Sequence, residues 1–284
     1  MRMLRVLLTL AAGTLFAGRA YEYLFFGAPL RVLLWDQELL QPLVRAVLGM
    51  DWTTYVTDPG VDRWIDRAQR LIGVVFALAA AGAVLRDHLP RRLWSGMLFA
   101  ATGFLALHAL LDTKDHFFYL AQYVEYAIQL SVGPLLWWSV TRARSVAWLL
   151  TAVAVVTALT FVAHGLYALG AYPVPVKFLN MTLGITGWSE AGCRLFLQVV
   201  GWLDLVAAAL LFVPRLRRFA FFYCTVWGAL TALARLVYGL GMTDFPDALH
   251  QYGYLTVYRL PHALIPAVGW WLSGVLNGER KLPG

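Results

Sequence analysis

The chain has 284 residues, of which 60% are hydrophobic and only 14% are charged. Soluble domains carry about 25% charged residues, so this composition excludes an ordinary water-soluble protein. A chain this apolar needs a bilayer as its solvent. The net charge of +7 would suggest a nucleic-acid partner in a soluble protein. Here the basic residues lie in short loops between apolar segments, so a lipid bilayer is the expected partner and nucleic acid is not.

Eight apolar segments follow one another along the chain, each near the roughly 20 residues that cross a bilayer as a helix. They predict an all-α membrane protein with eight transmembrane helices. The first segment also has the basic start and small residues of a signal peptide, but the internal repeat described below requires it as a full helix. The segments lie at about 4–26, 70–86, 93–112, 117–139, 146–170, 193–213, 218–241 and 255–275.

Basic residues concentrate on one side of this eight-helix layout. The N-terminus, the loops after the second, fourth and sixth segments, and the C-terminal tail together hold twelve basic and two acidic residues. The positive-inside rule therefore places these five parts, including both termini, in the cytoplasm. The basic residues are Arg2, Arg5, Arg86, Arg91, Arg92, Arg142, Arg144, Arg215, Arg217, Arg218, Arg280 and Lys281.

The loops on the opposite, outer side are longer. The first spans roughly 27–69 and contains an amphipathic, Leu-rich stretch over 30–47, a pattern typical of a helix lying in the membrane interface. The third outer loop, roughly 171–192, carries Tyr172 and Trp188. Neither loop is long enough for a separate globular domain, so we expect interfacial helices in the outer loops.

The two cysteines lie at opposite ends of their predicted helices. Cys193 begins the sixth segment on the outer side, and Cys224 lies near the cytoplasmic start of the seventh. At about 1.5 Å per helical residue they are roughly 20 Å apart along the membrane normal. A disulfide needs Cα atoms within about 7 Å, so both thiols are predicted to be free.

The two halves of the chain resemble each other. We expect duplication of a four-helix unit, with residues 1–143 and 144–284 as parallel repeats, because each repeat has an even number of helices. Chance similarity among Ala- and Leu-rich segments is the alternative. At one constant offset, Ala17, Tyr21, Pro29, Arg31 and Leu33 lie over Ala163, Tyr167, Pro175, Lys177 and Leu179; further along, Gly73 lies over Gly201, Pro90 over Pro214, Tyr119 over Tyr254 and Trp137 over Trp270.

A four-helix unit with a long outer excursion after its first helix resembles the DoxX-like superfamily of bacterial membrane proteins. Its relatives include the horizontally transferred transmembrane domain associated with vitamin K-dependent carboxylases. The resemblance covers most of the chain, but it lies in the layout and carries no catalytic residue over. It implies a bacterial inner membrane protein and, for some members, a membrane subunit of a sulfur- or quinone-linked redox system.

Ionisable residues inside the apolar segments share one depth. A charged side chain in a bilayer costs roughly 2.5–3.5 kcal/mol on insertion scales, so those retained face a bundle interior or a cavity. Almost all lie in the outer half, and Asp204, about midway along the sixth segment, is the deepest. The pattern predicts a polar chamber open to the outer side. Its candidate ligand-binding residues are Gln122, Gln129, His164, Arg194, Arg235, Arg259 and His262.

The densest polar cluster spans the third and fourth segments and supplies the candidate catalytic residues His108, Asp112 and Glu125. Because the two segments join by a tight turn, their polar faces can meet. One interpretation is a proton-handling or ligand-binding pair, with Glu125 as base and His108 as its partner.

Two alternatives stay open for this cluster. A metal site would need two or three of His108, Asp112, His116 and Glu125 to converge; we expect no metal. A polar network that only locks the helices together is the second. Likewise, Arg194, Arg235 and Arg259 can bind an anionic ligand or headgroup, or pair with Glu22, Glu125, Glu190 or Asp204.

Two functional hypotheses follow. In the first, the protein is a membrane component of a redox or carboxylase-like system, and its outer chamber binds a small or lipidic, quinone-like ligand, with a membrane or periplasmic protein as partner. In the second, it is a transporter or a non-catalytic membrane partner subunit. Transporters need polar groups reaching both faces, which the apolar inner half disfavours. The sequence identifies no cofactor.

Overall fold

The computed structural model describes residues 2–141 and 146–279, with side chains through Leu276. Every regular element in these ranges is a helix, which confirms the predicted all-α class. Four basic residues used to predict the orientation lie outside the described residues: Arg142, Arg144, Arg280 and Lys281.

Within the described residues, eight helices of 15 residues or more form the bundle. Six of them, α1 to α3 and α5 to α7, are long and apolar enough to cross a membrane, as in a multi-pass membrane protein. The second begins earlier than the predicted residue 70. The eight are α1 (Arg2–Phe25), α2 (Pro59–Val84), α3 (Arg91–Asp115), α4 (Ala127–Thr141), α5 (Val146–Leu169), α6 (Glu190–Leu210), α7 (Arg217–Met242) and α8 (Pro261–Glu279).

The fourth predicted segment is an interrupted helix rather than the continuous one expected over 117–139. A short helix, Leu120–Val124, precedes α4. Between them, the hydroxyl of Thr160 on α5 accepts the backbone N–H of Ile128 at 3.0 Å and donates to the carbonyl oxygen of Glu125 at 3.3 Å. Thr160 thus replaces backbone hydrogen bonds that the break removes, which an apolar environment requires.

The eighth predicted segment, over 255–275, is interrupted as well, at Pro261, where the sequence predicts a kink. The short helix Tyr254–Val257 ends before Pro261 starts α8. Proline has no N–H to donate and crowds the preceding turn, so it favours the start of a new helix over the continuation of an old one. Pro261 is the local cause of this break.

The amphipathic stretch over 30–47 forms short helices instead of one. The Asp36 carboxylate accepts the Leu39 N–H at 3.0 Å and also pairs with the Lys114 ammonium at the end of α3. Hydrogen bonding to Lys114 lowers the pKa of Asp36. The shorter helices are Leu30–Leu34, Gln37–Leu43, Val44–Leu48, Trp52–Thr57, Arg86–His88, Val176–Thr186 (called the outer helix below because it falls in the predicted third outer loop), Phe245–Ala248 and Leu249–Gly253.

Three helix pairs pack over most of their length: α1 with α2, α5 with α6, and α7 with α8. The α5–α6 pair is close enough that a Cβ on Gly165 would lie 2.9 Å from the Gly201 carbonyl oxygen. By contrast, α6 and α7 meet over a shorter length, and the outer helix lies across both. Cys193 and Cys224 are buried and free, as predicted.

Candidate ligand-binding site

Arg19, near the end of α1, is the centre of the first of two buried polar clusters. Its guanidinium donates to Glu22 at 2.7 Å, His108 at 3.0 Å and Gln129 at 2.8 Å, and lies 4.0 Å from the centre of the Tyr258 ring. Only its Nε lacks a partner among the described residues. We call this group the Arg19 cluster. It joins α1, α3, α4 and the break before α8.

The hydrogen bonds of His108 fix its tautomer. A guanidinium can only donate, so His108 Nε2 must accept from Arg19. Nδ1 therefore carries the proton and donates to the Tyr23 hydroxyl oxygen at 2.9 Å. Both ring nitrogens are engaged, so His108 has no free position from which to take a proton from a ligand in this arrangement.

A chain of hydrogen bonds leads from the end of α3 toward α5. The Gln122 amide donates to Asp112 at 2.6 Å and to Glu125 at 3.1 Å, and its oxygen accepts from Tyr167 at 3.1 Å. Tyr126 also donates to Asp112 at 2.9 Å. The second oxygen of Glu125 lies 3.6 Å from His164 Nε2. The chain therefore ends at the wall of the second cluster.

That second cluster lines a cavity of 430 Å³ between α5, α6, α7, the outer helix and the start of α8. Most of its wall is apolar, with Phe178 and Met181 from the outer helix and Phe196 from α6. Leu230 and Val237 of α7 line the cavity and are also 53% and 51% exposed on the surface of the bundle. The cavity therefore has an apolar side mouth facing the region that lipid would occupy.

One end of the cavity is polar and incompletely satisfied. Arg235, His262, His164 and Arg259 line it. Arg235 is 6% exposed and donates to the Thr231 carbonyl oxygen at 2.5 Å. Among the described residues neither arginine makes an ion pair, and buried Arg259 Nε and His262 Nε2 have no hydrogen-bond partner. We call this set the Arg235 cluster.

The two imidazoles of the Arg235 cluster stack, with ring centres 5.6 Å apart and planes 12° from parallel. His262 Nδ1 lies 3.0 Å from the Arg259 carbonyl oxygen. Since that oxygen can only accept, Nδ1 carries a proton, and in the neutral ring Nε2 is an unpartnered acceptor.

A buried carboxyl group, Asp204 on α6, also lines the cavity. It accepts from the Tyr223 hydroxyl at 2.9 Å. Trp227, another lining residue, lies one turn beyond Tyr223 on α7. Eight residues separate Trp227 from Arg235, about 12 Å along a helix. The cavity thus runs from Asp204 to the two arginines.

The predicted site residues divide into three groups and one outlier. His164, Arg235, Arg259 and His262 line the cavity; His108 and Gln129 belong to the Arg19 cluster; Asp112, Gln122 and Glu125 form the chain between them. Arg194 lies apart: it is exposed and pairs with Glu190 at 2.7 Å. Glu125 contacts His164 and Gln122, so its predicted direct pairing with His108 is not formed.

Arg19 and Asp204 were recognised in the sequence as charges inside apolar segments, with Asp204 the deepest, but neither was named as a candidate site residue. Arg19 is 2% and Asp204 3% exposed. Their depth was the signal that could have found them. Nothing in the sequence pointed to Tyr258, which packs against Arg19 and Arg259 and so joins the two clusters.

Within the ranges described, no three His, Cys, Asp or Glu side chains are arranged to hold a metal ion. The donors at hand are guanidinium N–H groups, imidazoles and hydroxyls. Such a set suits the oxygens of an organic or phosphate-bearing ligand.

Comparisons with known proteins identify no relative of this chain. No family model matches the chain, and neither curated proteins nor solved structures give a match.

Proposed function

We propose that this protein is a multi-pass membrane protein that binds a small lipidic ligand in the cavity of the Arg235 cluster, as the membrane component of a redox or carboxylase-like system. One observation carries the proposal: two guanidinium groups, of which Arg235 is buried, make no ion pair among the described residues and line a largely apolar cavity that opens sideways. A bare buried charge is costly, so a binding partner for it is expected.

The proposal includes eight membrane spans in two parallel repeats, residues 1–143 and 144–284. In support, the two interrupted helices stand at corresponding places, each as the last segment of its half. The close contacts also correspond: a Cβ on Gly73 would meet Tyr23 and Leu24, and one on Gly201 would meet Ala168 and Leu169. The residues of the second contact follow those of the first at nearly the same offsets as in the sequence comparison of the two halves.

The basic loops support cytoplasmic termini in a bacterial inner membrane, with both polar clusters then toward the outer side. The layout supports a DoxX-like relationship. The carbonyl oxygens of a quinone-like head group can accept from the guanidinium groups of the Arg235 cluster, and its tail fits the apolar side mouth. A membrane or periplasmic partner protein would complete such a system.

The binding part is tested on protein purified in dodecyl maltoside. Native mass spectrometry should find a lipophilic molecule bound to wild type, reduced in Arg235→Gln and Arg259→Gln. The matched control is Arg194→Gln, which removes an exposed arginine outside the cavity. A wild-type protein that neither retains nor takes up any lipophilic molecule, quinone or lipid, would contradict the proposal.

A transporter is the second candidate, favoured by the two helix breaks beside the polar clusters, since interrupted helices build many transporter sites. It requires a route to the cytoplasmic end. Cysteines placed along the inner half of α1 and α5 should then react with a membrane-impermeant thiol reagent from the cytoplasmic side. Complete protection of those positions would count against transport.

A further inference from the structure

The polar end of the cavity presents groups of opposite hydrogen-bonding character. Arg235 and Arg259 offer N–H donors, which acceptor oxygens satisfy. Neutral His262 offers an acceptor, because its Nδ1 proton is already donated to the Arg259 carbonyl oxygen 3.0 Å away. Its buried Nε2 has no partner in the described chain. A ligand that satisfies this end must combine acceptor oxygens with one hydroxyl donor.

The charges at this end select a negative ligand. Arg235 and Arg259 repel each other, and Glu125 is the carboxylate whose charge acts on both. The adjacent guanidinium groups disfavour a charge on either imidazole, so the two arginines and Glu125 leave a net charge of +1 at this end, while Asp204 lies at the other end of the cavity. A neutral ligand would leave that charge uncompensated in a buried site, whereas an anion compensates it.

The rest of the cavity selects an apolar tail. Beyond the Arg235 cluster the wall includes Phe196, Leu197 and Val200 of α6. Its side mouth is formed by α7 residues that are exposed on the surface of the bundle, Leu230, Leu233 and Val237. In a bilayer this mouth adjoins hydrocarbon, so a chain attached to the head group can leave the cavity without meeting water.

We propose that the ligand is a long-chain phosphate monoester: a lipid whose terminal phosphate retains an ionisable P–OH group. This proposal deepens the proposed function and rests on it. The phosphate oxygens accept from the two arginines, and the P–OH proton is shared with His262 Nε2. A phosphate monoester carries a charge of about −1.5 to −2 near pH 7, so its dianion plus that one proton neutralises the +1 of the site.

Related lipids satisfy the site less well. A phosphodiester headgroup has the negative charge but no P–OH, and a fatty acid carboxylate has neither a third oxygen nor a proton for His262. Each leaves the buried His262 Nε2 without a donor, which is costly in an apolar site. The prediction is therefore discrimination between two lipids with equal tails, of which the bound monoester, while it keeps its P–OH proton, carries the same single negative charge as the diester.

The experiment measures binding by thermal unfolding of the full chain in dodecyl maltoside. Dioleoyl phosphatidic acid, a monoester, is compared with dioleoyl phosphatidylmethanol, a diester with the same tails and no free hydroxyl. Inorganic phosphate tests the head group without a tail, and oleic acid tests an apolar tail without a phosphate. We expect phosphatidic acid to bind about tenfold or more tightly than each of the other three, since a hydrogen bond to a charged group is at stake.

Four variants, including one control, assign the effect to the site. His262→Phe should bind both phospholipids alike, because the acceptor is gone, and His262→Gln should restore part of the preference through its amide oxygen. Arg235→Gln should weaken binding of both lipids, whereas Arg194→Gln should behave as wild type. Size-exclusion profiles establish that each variant is folded. If His262→Phe does not fold, the preference of His262→Gln relative to wild type decides.

Several outcomes overturn the proposal. Equal binding of the monoester and the diester, or a preference that persists in His262→Phe, removes the role of the P–OH group. If inorganic phosphate binds as tightly as phosphatidic acid, the tail contributes nothing to binding and the ligand is not a lipid. A neutral quinone that binds in preference, dependent on Arg235, overturns this proposal and leaves the proposed function standing. Absence of any lipophilic ligand defeats both.

Discussion

The Arg19 cluster and the Arg235 cluster lie at the same end of one bundle and share Tyr258, yet their buried arginines differ in the partners that surround them. Arg19 donates to Glu22, His108 and Gln129. Arg235 has one backbone acceptor and a cavity in front of it. A buried cation that donates to a carboxylate, an imidazole and an amide stabilises the fold, whereas one that makes no ion pair among the described residues and faces a cavity is available for a ligand.

The largest expected effect tests this difference directly. Arg19→Gln leaves the Glu22 carboxylate without its cation and His108 Nε2 without its donor, so it should cost about 3–5 kcal/mol of stability. Arg235→Gln removes no ion pair and should leave the melting temperature in detergent unchanged or raised. A double variant, Arg19→Gln with Glu22→Gln, should recover part of the loss. Equal destabilisation by Arg19→Gln and Arg235→Gln would erase the distinction between the clusters.

The second prediction concerns the break that positions Glu125 between the clusters. Thr160→Val leaves the Ile128 N–H unsatisfied and should cost about 1–3 kcal/mol. Thr157 lies one turn earlier on α5 and is equally buried, but its hydroxyl has no partner in the structure described. Thr157→Val should therefore be neutral or stabilising. Equal melting temperatures for the two variants would show that Thr160 does not support the break.

The third prediction sharpens the electrostatic side of the comparison. Glu125→Gln removes the carboxylate that acts on both Arg235 and Arg259, so the Arg235 cluster becomes more positive. Binding of phosphatidic acid should tighten by roughly threefold or more. Stability should fall less than in Arg19→Gln, because the Glu125 side chain has a hydrogen bond from neutral Gln122 at 3.1 Å and a 3.6 Å contact to His164 but no guanidinium partner among the described residues. Weaker lipid binding in this variant would contradict the assigned charge balance.

The smallest effect is expected at the Asp36–Lys114 pair, which lies outside both clusters. Because its hydrogen bond to Lys114 lowers the pKa of Asp36, this pair contributes stability above the unfolded pKa of about 3.9 and loses it as pH falls through the lower folded value. Asp36→Asn should therefore lower the melting temperature slightly at pH 7 and less at pH 3. Glu38→Gln, an exposed acid without an ion pair in the described chain, serves as the control. A loss for Asp36→Asn that grows toward pH 3 would contradict this sign.

Much of the fold was predictable because it follows from local composition. Apolar length alone identified α1, α3, α5, α6 and α7 to within a few residues at most ends, since a helix is the only structure that satisfies its own backbone in lipid. Proline predicts kinks at Pro134 and Pro261, so the interruption of the eighth segment was anticipated, whereas the interruption of the fourth segment lies near Glu125 and was missed. Pro261 was visible in the sequence, but the break near Glu125 depends on Thr160, a residue more than thirty positions away that has no pattern of its own.

The candidate site was predicted in outline only. Depth along the segments brought His164, Arg235, Arg259 and His262 to one level, because residues at matching ends of antiparallel helices share a plane. The depth of a residue in the bilayer does not determine whether its side of the helix faces the cavity or the surface. Arg194 shares that level yet pairs with Glu190 at the surface, and Glu125 meets His164 instead of His108. The rotation of each helix about its own axis is set by how it packs against its neighbours.

The sequence by itself determined that the chain needs a bilayer, where most of its helices begin and end, and at what depth its charged residues are buried. These properties depend only on how hydrophobicity varies along the chain. The tertiary structure alone decided which arginine is satisfied and which is left open. Arg19 and Arg235 look alike in sequence, as single cations near the end of an apolar segment. Their difference arises because α3 and α4 bring acceptors to Arg19, whereas α6 and α7 separate and leave a cavity beside Arg235.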